Sequence, residues 1–316
     1  MPIGIRPIND FAFKKTFGSP ENKPALISLL NAILALPVSI ADVTIENPFS
    51  LRDFEEDKLS ILDVKAVDQA GSVFNIEIQR SLFDGLIQRI VFYGCEIYAD
   101  QLRAGDDYSE LRPAFSICLM DGRIWRDSPK VHHVFRLTDF ESGRTLEETL
   151  EIHTLELGNY NLKEAELAEA SLLECWLFWL LHAHEYDADT LLALFPFPPI
   201  QLATECISRI AAITKDKQMY DAREKAARDR QWELNSMLKR GIQEGHTQGL
   251  LEGKIEGKLE GKREGKLEGK LETIRSLQEI LQMPVASEAD LGGMSLPQLD
   301  ELIAGLQERI RNRLAN

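Results

Sequence analysis

Lys58-Leu-Ser-Ile-Leu-Asp63-Val-Lys65-Ala-Val-Asp68, followed after Gln69-Ala-Gly71 by Ser72-Val-Phe-Asn75-Ile-Glu77-Ile-Gln79, decides the fold. Strands alternate faces with a period of two, so Asp63 and Lys65 project to one side while Leu62, Val64 and Ala66 project to the other. On the second strand Asn75, Glu77 and Gln79 share a face, opposite Phe74, Ile76 and Ile78. A three-residue connection with Gly last fits a type I turn closed by a left-handed residue in a G1 bulge. With Asp68 opposite Ser72, the register predicts Asp63 across from Glu77 and Lys65 across from Asn75.

Directly opposed positions hold Cβ atoms about 4.5–5.5 Å apart, so the two carboxylates repel each other. A divalent cation between them turns that cost into a binding site, and hard oxygen donors suit Mg²⁺ or Mn²⁺ better than Zn²⁺. The ordinary alternative is a solvated strand face whose acids confer solubility. The apolar flanks of both strands point instead to a sheet interior, where unpaired acids are costly unless they have a task.

These residues resemble the PD-(D/E)XK nuclease core, in which an acid on one strand is followed, after a hairpin, by Glu-x-Lys on the next. The version here, Lys58-x4-Asp63 and then Ile76-Glu77-Ile78-Gln79, is similar to the recombination-promoting nuclease (Rpn) or putative transposase branch, where Gln commonly replaces the Lys. Asn9-Asp-Phe-Ala-Phe-Lys-Lys-Thr-Phe-Gly18, Arg89-Ile-Val-Phe-Tyr93 and Gln101–Tyr108 leading into Pro113–Leu119 resemble further signatures of that branch, so the likeness spans roughly residues 5–135. The resemblance implies an α/β fold with a mixed central β-sheet flanked by helices and a metal-dependent endonuclease acting on DNA in recombination, mobile-element movement or defence. It further implies Asp63 and Glu77 as ligands of Mg²⁺ or Mn²⁺, with Gln79 in the lysine position. A neutral amide orients water but supplies no charge. Lys65 and Lys58 are candidates for the missing cation, Lys58 the weaker because its odd offset from Asp63 turns it to the other face. Asp10 either adds an acidic metal ligand or caps the first helix. The alternative to the enzyme is a catalytically weak or inactive nuclease-fold binding or scaffold protein that self-associates through its carboxy-terminal repeat.

The chain has 316 residues, 44% of them hydrophobic, enough for a substantial core. Four dispersed cysteines, at 95, 118, 175 and 206, form no CxxC pair, which fits reduced thiols in a cytoplasmic protein. The most apolar run, Leu172–Leu181, is short and contains Glu174, so it reads as a buried helix and no membrane span is expected. The net charge of −15 speaks against a generic nucleic-acid binder, though an acidic total permits a local basic groove. DNA binding is therefore expected to be weak and salt-sensitive unless a partner or oligomer adds positive surface.

Periodicity gives a helix over 23–36 stopped by Pro37, a strand over 43–46, a helix over 85–102 and strands over 113–119, 131–137 and 150–157. On the helix over 85–102, Arg89, Tyr93 and Glu96 share a face that is either salt-bridged structure or a wall of the active cleft. Residues 1–160 are assigned to the nuclease-like domain and 161–236 to a helical region broken at Phe195–Pro199. Residues 237–273 carry Gly at every fourth position from 241 to 269, within Leu-Glu-Gly-Lys repeats. Four residues advance about 400° on a 3.6-residue helix, so the glycines wind as a right-handed stripe. This segment is either a flexible linker or a self-associating helix that makes a homo-oligomer. Residues 274–316 form a short helical unit with Ser295 as a cap.

Overall fold

The expected hairpin is formed by β2 (Val64–Asp68) and β3 (Val73–Gln79), paired Val64 to Ile76 and Lys65 to Asn75. Its turn follows the sequence chemistry. Gly71 has φ +88° and donates to the Asp68 carbonyl at 3.1 Å, while Asp68 Oδ1 accepts from Ala70 N and Ser72 N. The structure, a computed structural model, describes residues 1–50 and 64–314. Asp63 and Lys58 lie outside the described residues; the described register stops one pair short of Asp63.

Among the described residues six strands make one mixed sheet in the order β1-β2-β3-β4-β6-β5, adding β1 (Val43–Ile45), β4 (Ala114–Met120), β5 (His132–Arg136) and β6 (Leu150–Glu156). The central pairs β3/β4 and β4/β6 are parallel, and the outer ones antiparallel. One face carries Val64, Ala66, Phe74, Ile76, Ile117 and Leu119 into the main core. Helices α1 (Asp10–Phe17) and α2 (Lys23–Leu34) contribute to that core. So do α4 (Leu172–His182), α5 (Ala188–Leu194) and α6 (Pro198–Ala212). The other face is covered by α3 (Leu86–Ala99), which connects β3 to β4 and buries Leu86, Ile90 and Ile97. A Cβ added at Gly94 would stand 3.1 Å from Leu150 and 3.4 Å from Ser116, so glycine there lets α3 lie close to the sheet.

The apolar run expected as a buried helix is α4, entered through a capping box in which Ser171 and Glu174 exchange hydrogen bonds. Trp176 and Trp179 are fully buried against Phe17, and their indole N–H groups donate to Ser28 Oγ and Thr204 Oγ1. Among the described residues no helix is long and apolar enough to cross a membrane.

The chain divides into two units, Met1–Trp232 and Glu233–Asn316. The first unit takes in residues 161–232, including the first turns of the long helix α7 (Thr214–Ile280). These turns fasten the amino terminus: Arg6 N donates to Tyr220 Oη, Lys15 pairs with Asp216, and Glu224 accepts from Asn9 Nδ2 and from both terminal nitrogens of Arg80. In the second unit the last turns of α7, α8 (Glu288–Leu291) and α9 (Leu296–Leu314) bury Leu271, Ile274, Leu291, Leu299 and Leu306. The Gly repeat lies within α7, and a Cβ added at any of its eight glycines meets nothing within 4 Å.

At the β5/β6 edge, His153 Nε2 donates to Glu151 Oε1 at 2.7 Å, and Nδ1 receives His132 Nε2–H at 2.9 Å; Arg136 closes the chain on Glu151. Burial, with His153 and Lys130 beside it, holds His132 down at about 4. Burial works to raise Glu151, but hydrogen bonds from His153 and Arg136 outweigh it and keep that group at about 2. As pH falls from His132's ordinary 6.5 to about 4, the unfolded chain takes up a proton that the folded one refuses, so stability falls across that window. Glu151 adds a second loss, from about 4.5 down to about 2. Urea midpoints measured from pH 7 to 4 should drop for the wild type and drop less for His132→Gln; parallel curves would contradict this assignment.

Candidate active site

Glu77 sits in β3, paired laterally with Cys118 of β4, which pairs with Thr154 of β6 and that in turn with His133 of β5. The register therefore puts this row on the face covered by α3. Glu77 is 7% exposed, and its Oε1 is buried without a hydrogen-bond partner. Burial pushes its carboxyl upward, opposed by the charge of Arg89 and the neighbouring Asn75 amide. Asn75 is completely buried, and neither polar atom of its amide finds a well-formed hydrogen bond. Such orphaned polar atoms are expensive in a folded interior.

Gln79 ends β3 and turns its amide to the backbone, Nε2 donating to Ser81 O at 2.6 Å. Lys65 lies across from Asn75 as expected, and its ammonium pairs with Glu46 at 3.1 Å. Asn9, not Asp10, caps α1: Asn9 Oδ1 accepts from Phe11 N and Ala12 N. Asp10 takes the first helical position and lies 3.8 Å from Arg223 of α7. The structure thus gathers Asn75, Glu77 and Gln79 on one strand, with Lys65 alongside. A cavity of about 520 Å³ opens at the other end of these strands, beside the Asp68–Ser72 turn and Phe115, away from the end that carries Glu77.

A buried carboxylate with an open oxygen fits a hard divalent cation, which would replace the hydrogen bonds it lacks. Among the described residues no group of three or more His, Cys, Asp or Glu converges, so the described donors of such a site are oxygens of Glu77 and its strand neighbours. Sequence reading offered Arg89 as salt-bridged structure or as a wall of the cleft, but passed over Glu77 as the group its charge acts on. Its signal was faint: a cation three residues after Leu86 and next to Ile90, at the margin of the buried stripe of α3. It also passed over the pairings of Asp10 with Arg223 and of Arg80 with Glu224, which join residues more than 140 positions apart and leave no local pattern.

Searches of curated proteins and of solved structures each returned no match. A family model described as PD-(D/E)XK nuclease family transposase matches residues 7–237, well over half of the chain. Its span covers the whole sheet, the helices on both faces and the first turns of α7 that hold Asn9 and Arg80, and the chain therefore belongs to the PD-(D/E)XK nuclease family transposases.

Proposed function

We propose that this protein is a metal-dependent DNA endonuclease that hydrolyses phosphodiester bonds, with Asp63 and Glu77 holding Mg²⁺ or Mn²⁺ and Asp10 able to add an oxygen. The carrying observation is the Glu77 carboxylate, buried with Oε1 unpartnered two residues before Gln79. When bound, the cation supplies Lewis acidity toward the phosphate and acidifies a coordinated water. Glu77 and Asp63 fix the cation's place on the hairpin. Gln79 can orient the attacking water but carries no charge, and Lys65 adds positive potential one step back along the same pair of strands. Family membership supports a setting in recombination, mobile-element movement or defence, and the composition supports a cytoplasmic protein.

The test is incubation of the purified protein with supercoiled plasmid, with Mg²⁺, with Mn²⁺ and with chelator, beside Asp63→Ala. Nicking or linearisation that needs the metal and Asp63 is the expected result. In the same assay Gln79→Lys should preserve or raise the rate, because it restores a charge that favours the transition state. A lower rate for Gln79→Lys would show that the amide has its own role.

One observation favours a second reading, a catalytically weak or inactive nuclease-fold scaffold that self-associates through its repeat. The Gln79 amide donates to Ser81 O, so the end of β3 lacks the lysine's charge, in a chain whose net charge is −15. Wild-type protein that binds DNA yet never cuts it, with either metal, would select that reading.

A further inference from the structure

Arg89 stands near the start of α3, the helix laid over the Glu77 face of the sheet. Two aromatic rings hold its guanidinium, Tyr93 at 5.1 Å and Phe83 at 6.0 Å from ring centroid to the central carbon. Such contacts set the plane of the group without using its N–H donors. Its Nε is buried and has no hydrogen-bond partner. Among the described residues Arg89 makes no ion pair closer than 4.0 Å, although Glu77 feels its charge. Among the described residues, two other cations of this hairpin are engaged, Arg80 with Glu224 and Lys65 with Glu46. An always-charged fork, braced by rings and left without an acid, is arranged to receive an anion with several oxygens.

We propose that Arg89 contacts the scissile phosphate and supplies from α3 the positive charge that Gln79, at the end of β3, does not carry. The proposal rests on the nuclease reading above and adds a residue to it. Arg89 holds the phosphate through its N–H donors and stabilises the charge that grows on the phosphate oxygens as water adds and the leaving oxygen departs. No proton leaves the guanidinium.

Binding and cleavage test it separately. Full-length wild type, Arg89→Gln, Arg89→Lys and Arg89→Gln/Gln79→Lys are titrated with a short labelled DNA duplex over a range of NaCl, with Ca²⁺ in place of Mg²⁺. One lost phosphate contact should reduce the slope of log K against log salt by about 0.9 in Arg89→Gln. Arg89→Lys, which keeps the charge and is the milder change for folding, should retain the slope. The double variant should regain it. With Mg²⁺, Arg89→Gln should cut supercoiled DNA about a hundredfold more slowly, and Gln79→Lys should recover part of that loss. An unchanged slope, or Arg89→Gln cutting at the wild-type rate, overturns the proposal and leaves the nuclease reading standing. So does Arg89→Lys losing as much slope as Arg89→Gln. Wild type that neither binds nor cuts overturns both.

Discussion

Replacing Asp63 or Glu77 with alanine should reduce metal-dependent cleavage of supercoiled DNA by at least about a hundredfold, since even partners one shell beyond a metal ligand are commonly worth 10–100-fold. The melting temperature should stay within about 4 °C of wild type, the shift that roughly 1 kcal/mol produces in a unit of this size. The reason lies in the site itself. Glu77 is buried with an oxygen that has no partner, so its removal relieves a desolvated charge, and this offsets the packing lost with its methylenes. Structural acids behave otherwise, because taking Glu224 from between Asn9 and Arg80 would leave a half-buried cation unpaired. Cleavage that survives both alanine variants would move the chemistry elsewhere in the chain, and a collapse in melting temperature would make Glu77 a structural residue.

Ending the chain after Lys239 should lower the number of subunits per particle while the Met1–Trp232 unit keeps its fold. Each glycine inside a helix costs about 1 kcal/mol relative to alanine, and α7 carries eight of them at four-residue spacing. A Cβ built at any of them would meet nothing within 4 Å, and Leu250, Leu251, Ile255 and Leu259 along the same stretch are all more than half exposed. Association with another copy would cover these apolar side chains, bring the bare glycine backbones close and pair Glu with Lys across the contact. Static light scattering on both proteins decides the matter. An equal subunit count for the full-length and shortened chains would reduce the repeat to a spacer.

The hairpin was legible because period-two alternation and turn chemistry act within about fifteen residues. Lys65 indeed faces Asn75, and Gly71 takes the left-handed conformation that the turn demands. Element ends were less so. The helix expected to reach residue 36 stops at Leu34, with Ala35 left-handed at φ 48°, because the residue before Pro37 is pushed out of the helical region. The repeat could be read as linker or helix, and helix α7 runs through it. At the candidate site the strand residues could be found from the alternation, but their surroundings could not. Asn9 and Asp10 are adjacent and chemically alike as caps; what separates them is that Asn9 also reaches Glu224, while Asp10 faces Arg223. Arg89, Tyr93 and Glu96 suggested either a salt-bridged face or a cleft wall; in the structure Arg89 is braced by Phe83 and Tyr93, a pairing of rings that spacing alone did not signal.

The fastening of the amino terminus by α7 has a consequence for how the protein is made. Arg6, Asn9 and Lys15 are joined to Tyr220, Glu224 and Asp216, contacts that span 214, 215 and 201 residues of chain. During synthesis the first helix emerges long before its partners exist, and the sheet must assemble with that corner unfinished. The strand end that carries Gln79 and Arg80 is likewise completed only when Glu224 leaves the ribosome. A chain interrupted earlier has the hairpin but not the brace at its end, so the domain reaches its finished form only once the start of α7 has been made.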